Sequence, residues 1–155
     1  MEWRQIIVDL VTAGEIPFPR AISPSQLGDI YSLVIFFDGS SKASAAVVYA
    51  VWETESVQEA EVYLVASKTK VAPDWEVNTP RMELTGALLA SRLGVKICQA
   101  LENKPNRVWF AGDSEIVLAS REKHSAYFSE WFSNRIAETN ENQKKIEICP
   151  VGYNS

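Results

Sequence analysis

Short apolar runs alternate with longer amphipathic stretches along the chain, and this pattern predicts both strands and helices. Three runs rich in β-branched and aromatic residues come first, at residues 33–37, 45–52 and 61–66, with short turn-forming segments between them. Such close spacing predicts an antiparallel meander of three strands. Later runs at residues 107–111 and 146–149 predict a fourth strand and a last, short one.

Apolar residues at helical spacing predict the longest helix over residues 80–101. Thr79 is a good N-cap for it, and Pro80 falls at the first helical position, where proline is tolerated. The apolar stripe of this helix consists of Leu84, Leu88, Leu89, Leu93 and Ile97. Small residues beside Glu83, namely Ala87 and Ala90, allow the helix to approach a sheet closely.

Shorter helical patterns cover residues 114–120 and 126–139. The resulting order, β-β-β-α-β-α-α-β, allows the fourth strand to lie parallel to the first through a right-handed crossover. Both strands then end at the same edge of the sheet, and open α/β sheets usually bind ligands at that edge. The aromatic residues Trp131 and Phe132 are spaced to form a packed helix face.

The first thirty residues differ from the rest of the chain. A leading helical pattern stops at Gly14, and Pro17, Pro19 and Pro24 then predict an extended connector. We therefore expect two parts: residues 1–30 as a helix and proline-rich connector, and residues 31–155 as one α/β domain.

Composition excludes several classes of protein. A chain of 155 residues with 46% apolar residues is large enough for one domain with a sizeable core. Two cysteines exclude a disulfide scaffold, and no apolar run approaches the ~20 residues of a membrane helix. A cytoplasmic protein without a membrane partner is therefore expected. The net charge of −5 argues against a purely electrostatic nucleic-acid coat protein, but not against an enzyme that binds divalent cations.

Three acidic residues are the candidates for chemistry. Asp38 and Asp113 each follow an apolar strand, and Glu83 lies in the first turn of the long helix. Oxygen ligands without histidine or cysteine favour Mg²⁺ or Mn²⁺, and a pair of such ions suits in-line displacement at phosphorus. Acids at strand ends and in first helical turns also occur without any metal, so position alone leaves both interpretations open.

Several sequence motifs resemble those of ribonuclease H. The runs LVIFFDGS at 33–40, TPRMEL at 79–84 and WFAGDS at 109–114 resemble the three motifs that carry its first three carboxylates. Finer detail is similar to one branch, the ribonuclease H domain of Bel/Pao-type LTR retrotransposon polyproteins. The supporting runs are ASKTKVAP at 66–73, PRMELTGALLA at 80–90, DSEIVL at 113–118 and SNRIAE at 133–138.

This resemblance implies an α/β, ribonuclease-H-like fold: a five-stranded mixed sheet of three antiparallel strands and two strands reached by helical connections, with helices on both faces. It implies a two-metal endonuclease, using Mg²⁺ or Mn²⁺, that cleaves the RNA strand of RNA–DNA hybrids. Asp38 would bridge the two ions. Glu83 would bind the ion on the leaving-group side, near the 2′-hydroxyl, and Asp113 would complete the shell of that ion.

The resemblance also implies partners and a place of action. Ser40, Lys42 and Arg81 flank the expected cleft and are candidates for phosphate contacts. A reverse transcriptase domain of the same polyprotein is the expected protein partner, within the cytoplasm or within virus-like particles.

One departure from the family pattern concerns activity. Residues 149–155, CPVGYNS, resemble the start of the segment that carries a fourth carboxylate, and the sequence stops before that acid. Glu147 is poorly placed to replace it. We therefore expect weak or absent cleavage by this chain. The alternative is a catalytically silent ribonuclease-H-like module that binds nucleic acid or a protein.

Overall fold

The order of secondary-structure elements agrees closely with the sequence pattern. The computed structural model describes residues 3–15, 17, 21–23, 30–53, 60–73, 78–113, 129–146 and 151–152. The elements are α1 (Trp3–Gly14), β1 (Tyr31–Gly39), β2 (Ala43–Trp52), β3 (Glu61–Val71), α2 (Thr79–Ala100), β4 (Arg107–Ala111), α3 (Glu130–Lys145) and β5 (Val151–Gly152). The helix predicted over residues 114–120 lies outside the described residues.

The strands form one mixed sheet in the order β3-β2-β1-β4-β5. β1 pairs antiparallel with β2, and β2 antiparallel with β3, which confirms the predicted meander. β4 lies parallel to β1, with Phe36 opposite Ala111, so the two strands end at the same edge, as the crossover predicts.

The prediction of a last strand at residues 146–149 is wrong at its first residue. The amide of Ile146 donates to the carbonyl of Gln143 at 3.1 Å and ends α3, while the side chain of Ile146 is buried in the core. Ile146 is therefore apolar because it ends a helix and packs in the core, not because it begins a strand. The described last strand is Val151–Gly152, parallel to β4, and residues 147–150 lie outside the described residues.

The long helix α2 begins one residue earlier than predicted, so the choice of Thr79 as N-cap is wrong. Asn78 is the cap, and its side-chain oxygen accepts a hydrogen bond from the amide of Arg81 at 3.2 Å. Thr79 and Pro80 then occupy the first turn, where the missing N–H of proline costs nothing. Because α2 begins at Thr79, Glu83 lies just beyond the first turn of the helix, and its predicted place in the first turn is wrong.

One face of the sheet carries the hydrophobic core. Helix α2 lies on this face and buries all of the predicted stripe except Leu93, which is half-buried against the core. The largest fully buried side chains are Phe110, Leu33, Ile35, Leu84 and Val48. Each contributes roughly 1.5–3 kcal/mol of transfer free energy when fully buried. Helix α3 packs against α2 on the same side, with Ile136 buried against Leu84 and Ala87.

The opposite face of the sheet carries no helix among the described residues. Phe36 is 47% exposed there, and its register partner Val47 on β2 shares that face. Leu64 and Val62 on β3 are exposed as well. Helix α1 has no buried residue and exposes Trp3 and other apolar side chains.

None of the helices in the described parts of the chain combines the length and the apolarity needed to cross a bilayer.

Candidate active site

The parallel pairing of β1 with β4 brings Asp38 and Asp113 to equivalent positions. Each lies two residues beyond the last register pair, Phe36 opposite Ala111. Both carboxylates are exposed, and both line one cavity of about 550 Å³ at the edge of the sheet. The amide of Gly39 donates to Oδ1 of Asp38 at 2.6 Å. The predicted meeting of two acids from distant parts of the chain is therefore present.

Glu83 reaches this edge through a close backbone approach. A Cβ added to Gly39 would lie 2.2 Å from the carbonyl carbon of Met82 and 2.3 Å from the amide nitrogen of Glu83. A Cβ added to Gly86 would lie 2.7 Å from the carbonyl oxygen of Asp38. Glycine at both positions therefore allows the first turns of α2 to touch the end of β1.

A buried hydroxyl fixes the same contact from β2. The hydroxyl of Ser44, fully buried, donates to the carbonyl of Met82 at 2.8 Å. Glu83 itself is half-buried and is not among the residues that line the cavity shared by Asp38 and Asp113. We call Asp38, Glu83 and Asp113 the acidic edge.

The donor chemistry of the acidic edge suits a hard divalent cation, since it offers only carboxylate oxygens. Asp38 and Asp113 open into the same cavity, which gives an ion two ligands from neighbouring strands. Within the described ranges, however, no three histidine, cysteine, aspartate or glutamate side chains lie close enough together to hold one ion. The acidic edge therefore offers the type of ligand that such an ion prefers. The side chain of Glu83 does not join those of Asp38 and Asp113 in one cluster.

The residues predicted to touch phosphates lie in two different places. Ser40 and Lys42 are exposed in the turn between β1 and β2, next to Asp38. The hydroxyl of Ser40 accepts hydrogen bonds from the amides of Lys42 and Ala43, each at 3.2 Å, so it stabilises the turn. Arg81 instead lies on the other side of α2 from Glu83, because residues two positions apart on a helix point about 200° apart.

Sequence reasoning missed the surface that contains Arg81. A cavity of about 540 Å³ lies between the end of β3, the start of α2 and helix α3. Its charged and aromatic lining residues, which we call the basic groove, are Lys70, Arg81, Arg92, Arg135, Glu138 and Trp131. The basic residues come from three separate elements and are far apart in sequence. They become neighbours only because α3 packs against α2, which the sequence pattern does not predict.

Trp131 forms the centre of the basic groove. The guanidinium carbon of Arg135 lies 3.6 Å from the ring centroid of Trp131, and that of Arg81 lies 5.2 Å from it. Nη1 of Arg135 also donates to the carbonyl of Trp131 at 3.1 Å. Trp131 and Phe132 are half-buried and pack against the Leu84 cluster, as their spacing predicts.

The charges in the basic groove are unevenly matched. Nε and Nη2 of Arg92 donate to the two carboxylate oxygens of Glu138, at 2.6 and 2.9 Å. This hydrogen bonding lowers the pKa of Glu138 and raises the pKa of Arg92. Burial, followed by repulsion from Arg92, lowers the pKa of Arg135, and Arg81 adds to that repulsion. Arg81 and Arg135 are therefore crowded cations, whereas Arg92 is neutralised.

Comparison with solved structures shows the same fold. The chain is similar to the N-terminal ribonuclease H domain of a Mycobacterium tuberculosis protein, with a TM-score of 0.53 and 12% identity over 80% of this chain and 82% of that one. It is also similar to the protease–reverse transcriptase of prototype foamy virus, with a TM-score of 0.50 and 16% identity over 84% of this chain and 18% of that one. At these identities the likeness concerns the fold.

Sequence comparison identifies the family. No curated protein matches the chain. The family described as the Pao retrotransposon-like RNaseH-like domain matches residues 1–114, a range that contains Asp38, Glu83 and Asp113. That match spans most of the sequence, and this chain therefore belongs to the Pao retrotransposon-like RNaseH-like domain family.

Proposed function

We propose that this domain is a divalent-metal-dependent endonuclease that cleaves the RNA strand of RNA–DNA hybrids during reverse transcription of a retroelement. The observation that carries the proposal is the convergence at the acidic edge. Asp38 and Asp113 line one cavity, and the start of α2, just before and at Glu83, contacts Gly39. Membership of the ribonuclease-H-like family supports the reaction class.

In this proposal the protein supplies anionic oxygen ligands on a rigid frame. Asp38 is central, since it lies between Asp113 on the neighbouring strand and the turn of α2 that bears Glu83. Mg²⁺, or Mn²⁺ in its place, supplies water activation and stabilisation of the leaving oxygen in such displacements at phosphorus. Glu83, on the helix side, is the acid proposed to lie near the 2′-hydroxyl, the group by which a protein distinguishes RNA from DNA.

The partners follow from the same proposal. The substrate is an RNA–DNA hybrid, and the expected neighbour is a reverse transcriptase domain in the same polyprotein. The likeness to a viral protease–reverse transcriptase, of which the matched part is 18%, supports a domain embedded in such a polyprotein. We propose that the domain acts in the cytoplasm or within virus-like particles.

A second candidate function is a catalytically silent module that binds nucleic acid or a protein. Two observations favour it. No three metal-ligating side chains of the described residues lie close together, and one oxygen of Asp38 accepts the amide of Gly39. This candidate keeps the fold and the binding surfaces but has no reaction.

A cleavage assay separates the two candidates. We expect the chain to cut the RNA strand of an end-labelled RNA–DNA hybrid slowly, faster in Mn²⁺ than in Mg²⁺, and to stop when a chelator is added. Asp38→Asn should lower the rate by at least about 100-fold, the order of loss expected for one preorganised charged group. Asp9→Asn, on the exposed helix α1, is the matched control and should cut as the unmodified chain does. Equal cutting by Asp38→Asn would refute the proposed site, and binding of hybrid without cleavage in either Mg²⁺ or Mn²⁺ would favour the silent module.

A further inference from the structure

We infer that this chain forms a dimer in which helix α1 of each copy packs on the exposed apolar face of the other copy's sheet. That face lies opposite α2, and we call it the open face. The proposal goes beyond the proposed function, because it concerns the association of two copies and not the chemistry of the acidic edge. The open face includes Val34, Phe36, Val47, Tyr49, Val62 and Leu64.

The alternation of buried residues along β2 identifies the open face. Ala46 and Val48 are buried on the side of α2, so Val47 and Tyr49 point to the other side. Phe36 on β1 is the register partner of Val47, and its ring centroid lies 6.1 Å from that of Tyr49 in an edge-to-face arrangement. The two central antiparallel strands therefore present one continuous apolar surface.

The outer strand β3 widens this surface. Leu64 and Val62 are the partners of Tyr49 and Val51, and both are exposed. Among the described residues of β2 and β3 that share this face, none is charged. A contiguous exposed apolar patch marks an interaction site, and the lack of charge favours an apolar partner over a polyanion.

Helix α1 carries an apolar stripe of matching character. The stripe consists of Trp3, Ile7, Leu10 and Val11, each more than half exposed. At 3.6 residues per turn, these four side chains lie within an arc of roughly 100° around the helix. Such an arc is the width of the face that a helix normally packs on a core.

The same helix needs a surface to pack on. It has 12 residues and none of them is buried. Helices of this length are marginal in water, because most helix stability in proteins comes from packing of an amphipathic face. On the side opposite the stripe, Nε2 of Gln5 donates to Oδ1 of Asp9 at 2.9 Å, which suits a side that faces water. The apolar stripe is therefore the side that packs.

The path of the connector favours a second copy as the source of the helix. Nε1 of Trp52 donates to the carbonyl of Ile22 at 2.8 Å, and the side chain of Trp52 is buried on the side of the sheet that carries α2. The chain is thus anchored on the side away from the open face. Before this anchor, Pro17 and Pro19 favour an extended path. In the single chain the stripe of α1 is exposed and free to reach another copy.

A reciprocal arrangement covers both exposed surfaces of both copies. Two-fold symmetry places each α1 on the open face of the other copy, which closes the assembly. A helix of this length is about 18 Å long, and six residues of a strand span roughly 20 Å, so α1 fits along the strands. Face-to-face packing of the two sheets fits less well, since it would leave both helices exposed.

The test measures association of the whole chain by sedimentation over a range of protein concentrations. We expect a monomer–dimer equilibrium that persists in about 1 M salt, where the Debye length is only about 3 Å, because the contact is apolar. Loss of one buried leucine weakens an interface by roughly tenfold or more, and symmetry removes two. Leu10→Lys and Leu64→Lys should therefore each raise the dimer dissociation constant by about 100-fold.

Matched controls add the same charge elsewhere. Thr12→Lys lies on the polar side of α1, and Gln99→Lys lies on an exposed position of α2, across the sheet from the open face. Both should keep the dissociation constant of the unmodified chain. Circular dichroism and thermal melting establish that each variant is folded. Leu10→Lys changes a helix without buried residues, so it keeps the test informative if Leu64→Lys fails to fold.

Cross-linking distinguishes a second copy from the chain's own helix. A Leu10→Cys chain and a differently tagged Leu64→Cys chain, both with Cys98 and Cys149 replaced by alanine, are oxidised together. We expect a disulfide-linked heterodimer, and none when Thr12→Cys replaces Leu10→Cys. A disulfide that forms only when Leu10→Cys and Leu64→Cys share one chain would assign the open face to the chain's own α1 and overturn the inference.

The sedimentation outcomes are equally decisive. A chain that stays monomeric at every concentration, a dimer that dissociates in high salt, or a dimer unaffected by Leu10→Lys and Leu64→Lys would overturn the inference. Because no readout involves cleavage, the dimer stands or falls separately from the proposed nuclease.

Discussion

Two charged surfaces flank the start of helix α2, and they are built in different ways. The acidic edge depends on backbone: strand register aligns Asp38 with Asp113, and two glycines allow α2 to touch the end of β1. The basic groove depends on side chains that converge from α2, α3 and β3 around Trp131. The comparison teaches that the acids are positioned by backbone contacts between the sheet and α2, whereas the cations are positioned by the packing of one helix on another. Substitutions should therefore affect the two surfaces separately.

The largest expected effect comes from closing the backbone contact at the acidic edge. In Gly39→Ala the new methyl group would lie 2.2–2.3 Å from backbone atoms of Met82 and Glu83, so α2 must move. We expect a loss of about 3 kcal/mol in the free energy of unfolding, measured by denaturant titration, because overpacking against backbone cannot be relieved by a rotamer change. Gly14→Ala is the control, since nothing lies within 4 Å of the added methyl group. An unchanged stability of Gly39→Ala would contradict the close approach.

A pair of serine variants tests whether the contact beside Glu83 has a special part in cleavage. The hydroxyl of Ser44 donates to Met82, next to Glu83, whereas that of Ser91 donates to Leu88 and accepts from Asn142 on α3. Loss of either buried hydroxyl should cost about 1–2 kcal/mol of stability. Ser44→Ala should also lower the cleavage rate, measured well below the melting temperature, more than Ser91→Ala does. Equal effects on cleavage would mean that Ser44 has no special part in placing the acidic edge.

The smallest effect is expected from the ion pair beside the groove. The groups of Arg92 and Glu138 are partly exposed, so Glu138→Gln should cost only a few tenths of a kcal/mol. The lowered pKa of Glu138 means that its stabilising effect is present above its ordinary pKa of 4.5 and disappears as the pH falls through the lowered value. Acid unfolding curves of the variant and the unmodified chain should therefore converge at low pH, and a constant difference would contradict this role.

The acidic edge was predictable because strand ends are visible in sequence. The apolar runs before Asp38 and Asp113 predict two strands, and the helix between the third and fourth strands predicts a parallel crossover. The structure confirms both. The role of Gly86 was not predicted, because a glycine inside a helical pattern indicates only a weak helix former. The structure shows that the carbonyl of Asp38 leaves no room for a side chain at this position.

The wrong predictions concern features that are set by contacts between residues far apart in sequence or that local propensity does not determine. The predicted helix 126–139 ends early because residues 140–145 lack an apolar stripe, whereas α3 continues to Lys145. Asn142 is buried in that extension and donates to the hydroxyl of Ser91, a contact between residues far apart in sequence. Thr79 was predicted as the cap in place of Asn78 because both are good capping residues, and local propensity does not distinguish between neighbours. Arg81 and Arg135 were not linked for the same reason, since they meet only across the helix pair.

Cleavage by Glu83→Gln tests the central claim most directly, because Glu83 is the acid that does not line the cavity of Asp38 and Asp113. The measurement is the initial rate of RNA-strand cleavage in an RNA–DNA hybrid at saturating Mn²⁺, beside Glu102→Gln as a charge-matched, exposed control. If the three acids act as one metal-dependent centre, Glu83→Gln should cut at least about 100-fold more slowly, while Glu102→Gln keeps the rate of the unmodified chain. Equal rates for the two variants would contradict a shared centre at the acidic edge.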